Sequence, residues 1–179
     1  YQISLMRLLN RILTLKQESG IGFDQLGIRR DTLYRELLEL QMSEEIEGWF
    51  RDRLIVPLLR VFGERRDSQY HNLSEQIMDM IRNHYDAELT LEDCAAKLHY
   101  NANYLSSVFK NETGYTFTEY LSHYRLQMAK RWLTETDMTV KDIAERLKYY
   151  NSNNFIRAFR KQEGMTPGQY RAKYGAAGE

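Results

Sequence analysis

The sequence predicts an all-α fold with two helix-turn-helix subdomains joined by a long linker helix and preceded by a smaller helical segment. Three observations predict it. Apolar residues recur at helical spacing along most of the chain. The 179 residues include only two prolines and ten glycines, so few positions interrupt a helix. A stretch of helical pattern near residue 90 is repeated near residue 139.

The repeat consists of a first copy, Leu89–Tyr120, and a second copy, Met138–Arg171. An offset of 49 residues pairs Thr90 with Thr139, and the same offset holds as far as the tyrosines that follow each first helix. One extra residue then enters the second copy, and an offset of 50 continues to the end of the repeat. Chance matches do not keep one register with a single slip. We therefore interpret the repeat as an internal duplication of one helical unit.

Residues 1–70 show a helical pattern but little chemistry. We predict helices over Ile3–Leu15 and Asp31–Leu40, and a third that starts at a Ser43 hydroxyl cap and is kinked or ended by Pro57. The polar run Glu64–His71 is the predicted domain boundary, with a further helix from residue 73 to 85. Two readings stay open for 1–70: a signal-relay or dimerisation segment, or a small structural bundle. Because the chain opens without Met inside a helical pattern, we expect a fragment of a longer protein.

Capping signals place the helices of the duplicated region, which we assign to residues 73–174. Thr90 and Thr139 each precede an Asp by three residues, as in a capping box. Thr116 and Thr166 repeat the signal at the end of each copy, after a glycine suited to close the preceding helix. The predicted parts are subdomain one at about 73–115, the linker helix at 116–135 and subdomain two at about 138–174, with second helices at about 102–112 and 152–163.

The predicted linker helix has a length that matters for function. Twenty residues at a rise of 1.5 Å give about 30 Å. Successive major-groove faces on one side of B-DNA lie about 34 Å apart. A rigid helix of this length would hold two helix-turn-helix units over successive turns of one duplex.

Charge is zero overall but unevenly placed. Residues 75–93 carry six acids against one base, and residues 141–173 carry eight bases against three acids. Such a distribution favours one anion-binding face, although a mixed solvated surface explains it as well. The single Cys94 excludes an internal disulfide and indicates a reducing compartment. No apolar run has the length of a membrane span.

The face that remains after the apolar positions of each second helix are assigned to the core is polar. Asn pairs with adenine and Arg with guanine in the major groove, whereas Lys and peripheral Arg contact phosphates. The predicted base-reading residues are Asn103, Ser106, Ser107, Ser152, Asn153, Asn154 and Arg157. The predicted phosphate contacts are Lys110, Arg160 and Lys161.

The run from Leu89, and above all DIAERLKYYNSNNFIRAFRKQEGMTPGQYR, resembles the DNA-binding domain of the AraC/XylS family of bacterial transcription regulators. The resemblance covers about residues 73–174. It implies seven helices, binding to asymmetric promoter sites in double-stranded DNA, and RNA polymerase as a further partner. Family base-reading sites fall on six of the residues above, all but Asn154. Where the family usually has glycine, this chain has Lys148, which costs up to ~1 kcal/mol if that position needs a positive φ.

The segment EEIEGWFRDRLIVP, together with the DNA-binding half, resembles the large sensor-type members of the family, which carry membrane helices ahead of that domain. A response regulator with a receiver domain is the other parent to consider. We expect a cytoplasmic fragment without membrane contact of its own, and a homodimer through residues 1–70. No cofactor, metal or enzyme activity is expected, because the four histidines share no ligand spacing. The alternative function is a helical protein-interaction module that does not read DNA.

Overall fold

The structure, a computed structural model, describes residues 2–175 and contains only helices and their connections in that range, which confirms the all-α prediction. The chain divides into two compact units, Tyr1–Gln69 and Tyr70–Glu179. The helices are α1 Gln2–Glu18, α2 Phe23–Leu26, α3 Arg30–Glu39, α4 Ser43–Phe50, a π-helical turn Arg51–Ile55, α5 Val56–His84, α6 Leu91–Leu98, α7 Ala102–Thr113, α8 Phe117–Glu135, α9 Val140–Arg146, α10 Ser152–Glu163 and α11 Pro167–Tyr174.

The amino-terminal unit has its own apolar core. Leu9, Leu33 and Leu54 are fully buried at its centre, with further apolar side chains from the same helices around them. One partly buried ion pair ties α3 to the π-helical turn, since Arg53 lies 2.6 Å from the Glu36 carboxylate. The hydrogen bond from Arg53 is the main cause that lowers the pKa of Glu36, ahead of a smaller contribution from the indole N–H of Trp49.

The expected cap at Ser43 is wrong, and of the two expected effects of Pro57 the helix end is wrong. Ser43 is the first residue of α4 and not its cap, because the Glu45 carboxylate accepts the backbone N–H of Met42 at 3.3 Å and so closes the helix start. Pro57 does not end the helical run. It is the second residue of α5, and the chain ahead of it changes from α-helical to π-helical bonding. Proline lacks an N–H, and a π-helical turn relieves the bonding pattern that it disrupts.

The predicted domain boundary Glu64–His71 contains the junction of the two compact units, which falls between Gln69 and Tyr70, but no helix ends in this run and no separate helix begins at residue 73. Both lie inside α5, which continues from Val56 to His84. The reason is physical. Arg, Glu and Gln are good helix formers, and a polar run without proline stops a helix no better than an apolar one.

The carboxy-terminal unit contains the end of α5, from residue 70 on, and the helices α6 to α11, which together are the seven helices that the family resemblance implies. It has two apolar cores, one for each copy of the repeat. Phe109 and Ile81 are fully buried in the first core, and Phe155 and Phe159 in the second. Tyr85 packs against both cores, so the two helix-turn-helix units contact one common side chain.

One arginine binds the connection that leads into each copy of the repeat. Arg125 of α8 donates to the carbonyls of Tyr85 and Ala87, at 2.8 and 2.9 Å, just before α6. Arg171 of α11 donates to the carbonyls of Leu133, at 3.1 Å, and Met138, just before α9. Each guanidinium thereby satisfies carbonyls at the end of one helix and in the connection to the next.

Between residues 2 and 175, no helix is both long and apolar enough to cross a membrane.

Candidate nucleic-acid interface

Each helix-turn-helix unit begins with the predicted capping box. The Thr90 hydroxyl accepts the Asp93 N–H at 3.1 Å, and the Asp93 carboxylate accepts the Thr90 N–H at 2.9 Å. Thr139 and Asp142 make the same two bonds at 3.1 and 3.2 Å. Hydrogen bonds from the threonine hydroxyl, and then from its amide, lower the pKa of each aspartate. Both first helices are therefore fixed at the residues that the sequence predicts.

The turn in each unit passes through one residue with left-handed backbone. Lys148 has φ of 61°, which confirms that this position needs the conformation that glycine adopts most easily. The first copy uses His99 at the matched position, with φ of 60°. The sequence reading missed His99, although the offset of 49 residues pairs it with Lys148. Both turns therefore pay roughly 1 kcal/mol or less for a side chain where glycine would be relaxed.

The second helix of each unit starts from an asparagine cap that the sequence reading did not identify. The Asn101 side chain accepts the backbone N–H groups of Asn103 and Tyr104, at 2.8 and 3.3 Å. The Asn151 side chain accepts the N–H of Asn154 at 2.8 Å. The signal was present, since asparagine is a favoured cap and the offset of 50 residues pairs these two. The caps fix where α7 and α10 begin.

Aromatic pairs hold the two second helices down in the same way. The Phe109 ring meets Tyr120 edge-on at 5.4 Å, and the Phe159 ring meets Tyr170 edge-on at 5.4 Å. Leu105, Val108 and Phe155 are buried beside them, as predicted, and the Ala158 position is half-buried. The side of each helix opposite these residues is left for solvent or a ligand.

The predicted site residues lie on those open faces. Asn103, Ser106, Ser107 and Lys110 are exposed on α7, and Asn153, Arg157, Arg160 and Lys161 are exposed on α10. Ser152 and Asn154 are half-buried at the start of α10. The Ser107 hydroxyl donates to the carbonyl of Asn103 at 3.1 Å, so part of its hydrogen-bonding capacity is used within α7.

The structure brings two of the predicted residues of α10 into contact. The guanidinium of Arg157 donates through Nη2 to the side-chain carbonyl of Asn154 at 2.7 Å. Asn154 thus holds one edge of Arg157 and leaves the other N–H groups available. The sequence placed both residues on this face but did not predict the bond between them.

Helix α8 connects the two helix-turn-helix units and contacts α10 directly. Its 19 residues correspond to about 28 Å at 1.5 Å per residue. The Lys130 ammonium of α8 lies 3.1 Å from the Glu163 carboxylate of α10, and both side chains are largely shielded from solvent. This ion pair fixes the carboxyl end of α10 on the linker helix.

Neither a metal cluster nor a reactive thiol is found in the described part of the chain. No group of three or more His, Cys, Asp or Glu residues within 2–175 is arranged to hold a metal ion. Cys94 is fully buried, and this burial raises the pKa of its thiol to about 11. The thiol therefore stays protonated at neutral pH.

Comparison with known sequences agrees with this geometry. A family described as a helix-turn-helix domain matches residues 94–173. The chain is 48% identical over 171 residues to the uncharacterised HTH-type transcriptional regulator YtdP of Bacillus subtilis. The match covers 96% of this chain but 22% of that protein, so the chain spans about a fifth of the length of this relative.

Solved structures give the same result. The C-terminal domain of AraT, a response regulator from Geobacillus stearothermophilus, is 32% identical with a TM-score of 0.56, covering 59% of this chain and 88% of that one. The DNA-binding domain of AdpA, a global transcriptional factor solved in complex with a target DNA, is 25% identical with a TM-score of 0.52. That match covers 57% of this chain and 91% of the AdpA chain.

Proposed function

The chain belongs to the AraC/XylS family of helix-turn-helix proteins, and on that premise we propose that it regulates transcription by sequence-specific DNA binding. Helices α7 and α10 enter successive major-groove turns of one promoter site. Asn103, Ser106 and Ser107 read bases from α7, and Ser152, Asn153, Asn154 and Arg157 read them from α10. Lys110, Arg160 and Lys161 contact phosphates.

One observation carries this proposal. Two second helices, each with an asparagine cap and an aromatic anchor, present polar faces, and both contact the linker helix α8, one at Tyr120 and the other at Lys130. The length of α8, about 28 Å, is close to the ~34 Å between successive major-groove faces. A protein-interaction module would need neither this spacing nor amide and guanidinium groups on both faces.

A mobility-shift titration of the 179-residue chain with duplexes selected from a random-sequence library tests the proposal. Selection should enrich one asymmetric site, and binding to it should weaken steeply between about 50 and 200 mM salt. Absence of binding at the low end of this range would favour the protein-interaction alternative. Enrichment of symmetric sites would instead contradict reading by two unlike helices of one chain.

Replacing Lys110 by alanine should weaken binding to all sequences by a similar factor. Lys110 is an exposed cation in the last turn of α7, away from the helix start, so it suits a phosphate better than a base edge. Titrations at several salt concentrations should show the log–log slope reduced by about 1. A loss confined to sites with one particular base pair would show that Lys110 reads that base instead.

Two further partners are proposed. RNA polymerase follows from the family resemblance alone.

A homodimer through residues 1–70 is supported by an exposed apolar row of the amino-terminal unit, Ile55, Leu59 and Phe62, at the i, i+4, i+7 spacing of one helix face. Sedimentation equilibrium tests the dimer, which a single monomeric species at every concentration would refute.

A further inference from the structure

Lys148 occupies a position whose backbone conformation is strained for any residue with a side chain. Its backbone has φ of 61°, a conformation that glycine adopts without strain and other residues do not. The side chain is exposed, and its ammonium makes no ion pair or hydrogen bond with any residue between 2 and 175. Within the described residues, the charge of Lys148 is thus stabilised only by its place at the carboxyl end of α9. Backbone strain of this kind clusters at binding sites, and the exposed ammonium is available to a ligand.

Tyr150, two residues further on, is the extra residue of the second copy. Tyr149 corresponds to Tyr100 and Asn151 to Asn101, so Tyr150 has no counterpart in the first unit. Its side chain is 93% exposed. The neighbouring Tyr149, in contrast, packs edge-on against the Phe155 ring at 5.3 Å, and burial raises its pKa. Tyr150 thus offers a free phenolic hydroxyl that the core does not use.

Both residues stand directly before the reading helix of the second unit. Asn151 caps α10, which begins at Ser152, so Lys148 and Tyr150 lie in the turn that leads into it. An open crevice of about 630 Å³ borders this turn. Glu88 and Glu145 line the crevice together with Lys141 and Lys148, so the lining has no net positive charge to hold an anion inside it. An approaching phosphate is therefore expected at the exposed ends of the two turn residues and not inside the crevice.

We propose that Lys148 and Tyr150 form a further contact with the DNA backbone, beside the major groove that α10 enters. Lysine provides a positive charge for a phosphate, and the tyrosine hydroxyl provides a hydrogen-bond donor. This inference rests on the proposed function. It makes the two units unequal, because the first has His99 at the matched position and no residue matched to Tyr150.

The substitution Lys148→Gly separates this role from a structural one, because its two expected effects have opposite signs. Removal of the strained side chain should raise the Tm by about 2–4 °C. The same variant should bind every duplex about 3- to 10-fold more weakly, with the log–log salt slope reduced by about 1. Tyr150→Phe should weaken binding by a smaller factor and leave the slope unchanged, since it removes a donor and no charge.

His99→Gly is the matched control, since it relieves the same strain in the first unit. It should raise the Tm and leave the salt slope at pH 8 unchanged. Lys148→Gln keeps the backbone strain but removes the charge, and should lower the log–log salt slope without raising the Tm. This variant tests the role of the charge if Lys148→Gly folds poorly. Slopes equal to that of the unaltered chain in both Lys148 variants would overturn this inference alone. No DNA binding by the unaltered chain would refute the proposed function and this inference with it.

Discussion

Replacing Phe159 by alanine is expected to lower the free energy of unfolding of the carboxy-terminal unit by about 3–5 kcal/mol. Phe159 is fully buried, and its ring packs on Phe155 at 5.7 Å and on Tyr170 at 5.4 Å. These contacts join α10 to α11 across the second core. Domains are usually stable by only about 5–15 kcal/mol, so the loss removes a large part of the total.

Urea denaturation followed by tryptophan fluorescence measures this loss. The chain has two tryptophans, Trp49 in the amino-terminal unit and Trp132 in the carboxy-terminal unit. A Trp49→Phe background makes the signal report on the second unit alone. Gln162→Ala, an exposed position on the same helix, is the control and should change the stability by no more than about 0.5 kcal/mol. A Phe159→Ala loss below about 1 kcal/mol would contradict the packing described for the second core.

The helix boundaries of the duplicated region could be predicted because their causes are local. A threonine and an acid or amide three residues later make a capping box wherever the chain follows them. Gly114 and Gly164 have φ of 77° and 74°, as their positions at the ends of α7 and α10 predict. The duplication added a test of consistency, because each signal had to appear twice in one register. The caps at Asn101 and Asn151 also have a local cause, and the sequence was sufficient to predict them.

The features that could not be predicted depend on partners distant in sequence or on competing local preferences. The carbonyls bound by Arg125 and Arg171 lie 33 to 40 residues away from them, and no local pattern marks a carbonyl as a partner. The prediction of a separate helix after the polar run Glu64–His71 failed for a different reason, since α5 continues through that run. Polarity indicates exposure, and exposure is compatible with a helix as much as with a linker.

The candidate site was predictable in part, because the exposure of its residues has a local cause and the contacts between them do not. Helical spacing determined which residues face away from the core, and the predicted readers are indeed on the open faces of α7 and α10. An i, i+3 pair such as Asn154 and Arg157 is close enough to bond on any helix. The choice of rotamer that makes the bond depends on neighbours, so the sequence alone gave two separate residues where the structure has a pair.

Replacing Arg157 by alanine should relax the base preference at one position of the DNA site by about 1–3 kcal/mol. Arg157 is exposed in the second turn of α10, on the face opposite Phe155 and Phe159. Its Nη2 donates to Asn154, which restricts the guanidinium before DNA arrives. A side chain held in this way loses less conformational entropy on binding, so its contact with the guanine O6 and N7 atoms costs less.

Competition among duplexes that differ at single base pairs gives the measurement, with Lys161→Ala as the matched control. Lys161 is an exposed cation four residues further along α10, and its loss should weaken all duplexes by a similar factor. Asn154→Ala should relax the preference at the same base pair as Arg157→Ala, by a smaller amount. The double variant should then resemble Arg157→Ala alone, because Asn154 acts there through the guanidinium. A base preference of Arg157→Ala identical to that of the unaltered chain would remove Arg157 from the reading face and leave Ser152, Asn153 and Asn154 as its candidates for direct readout.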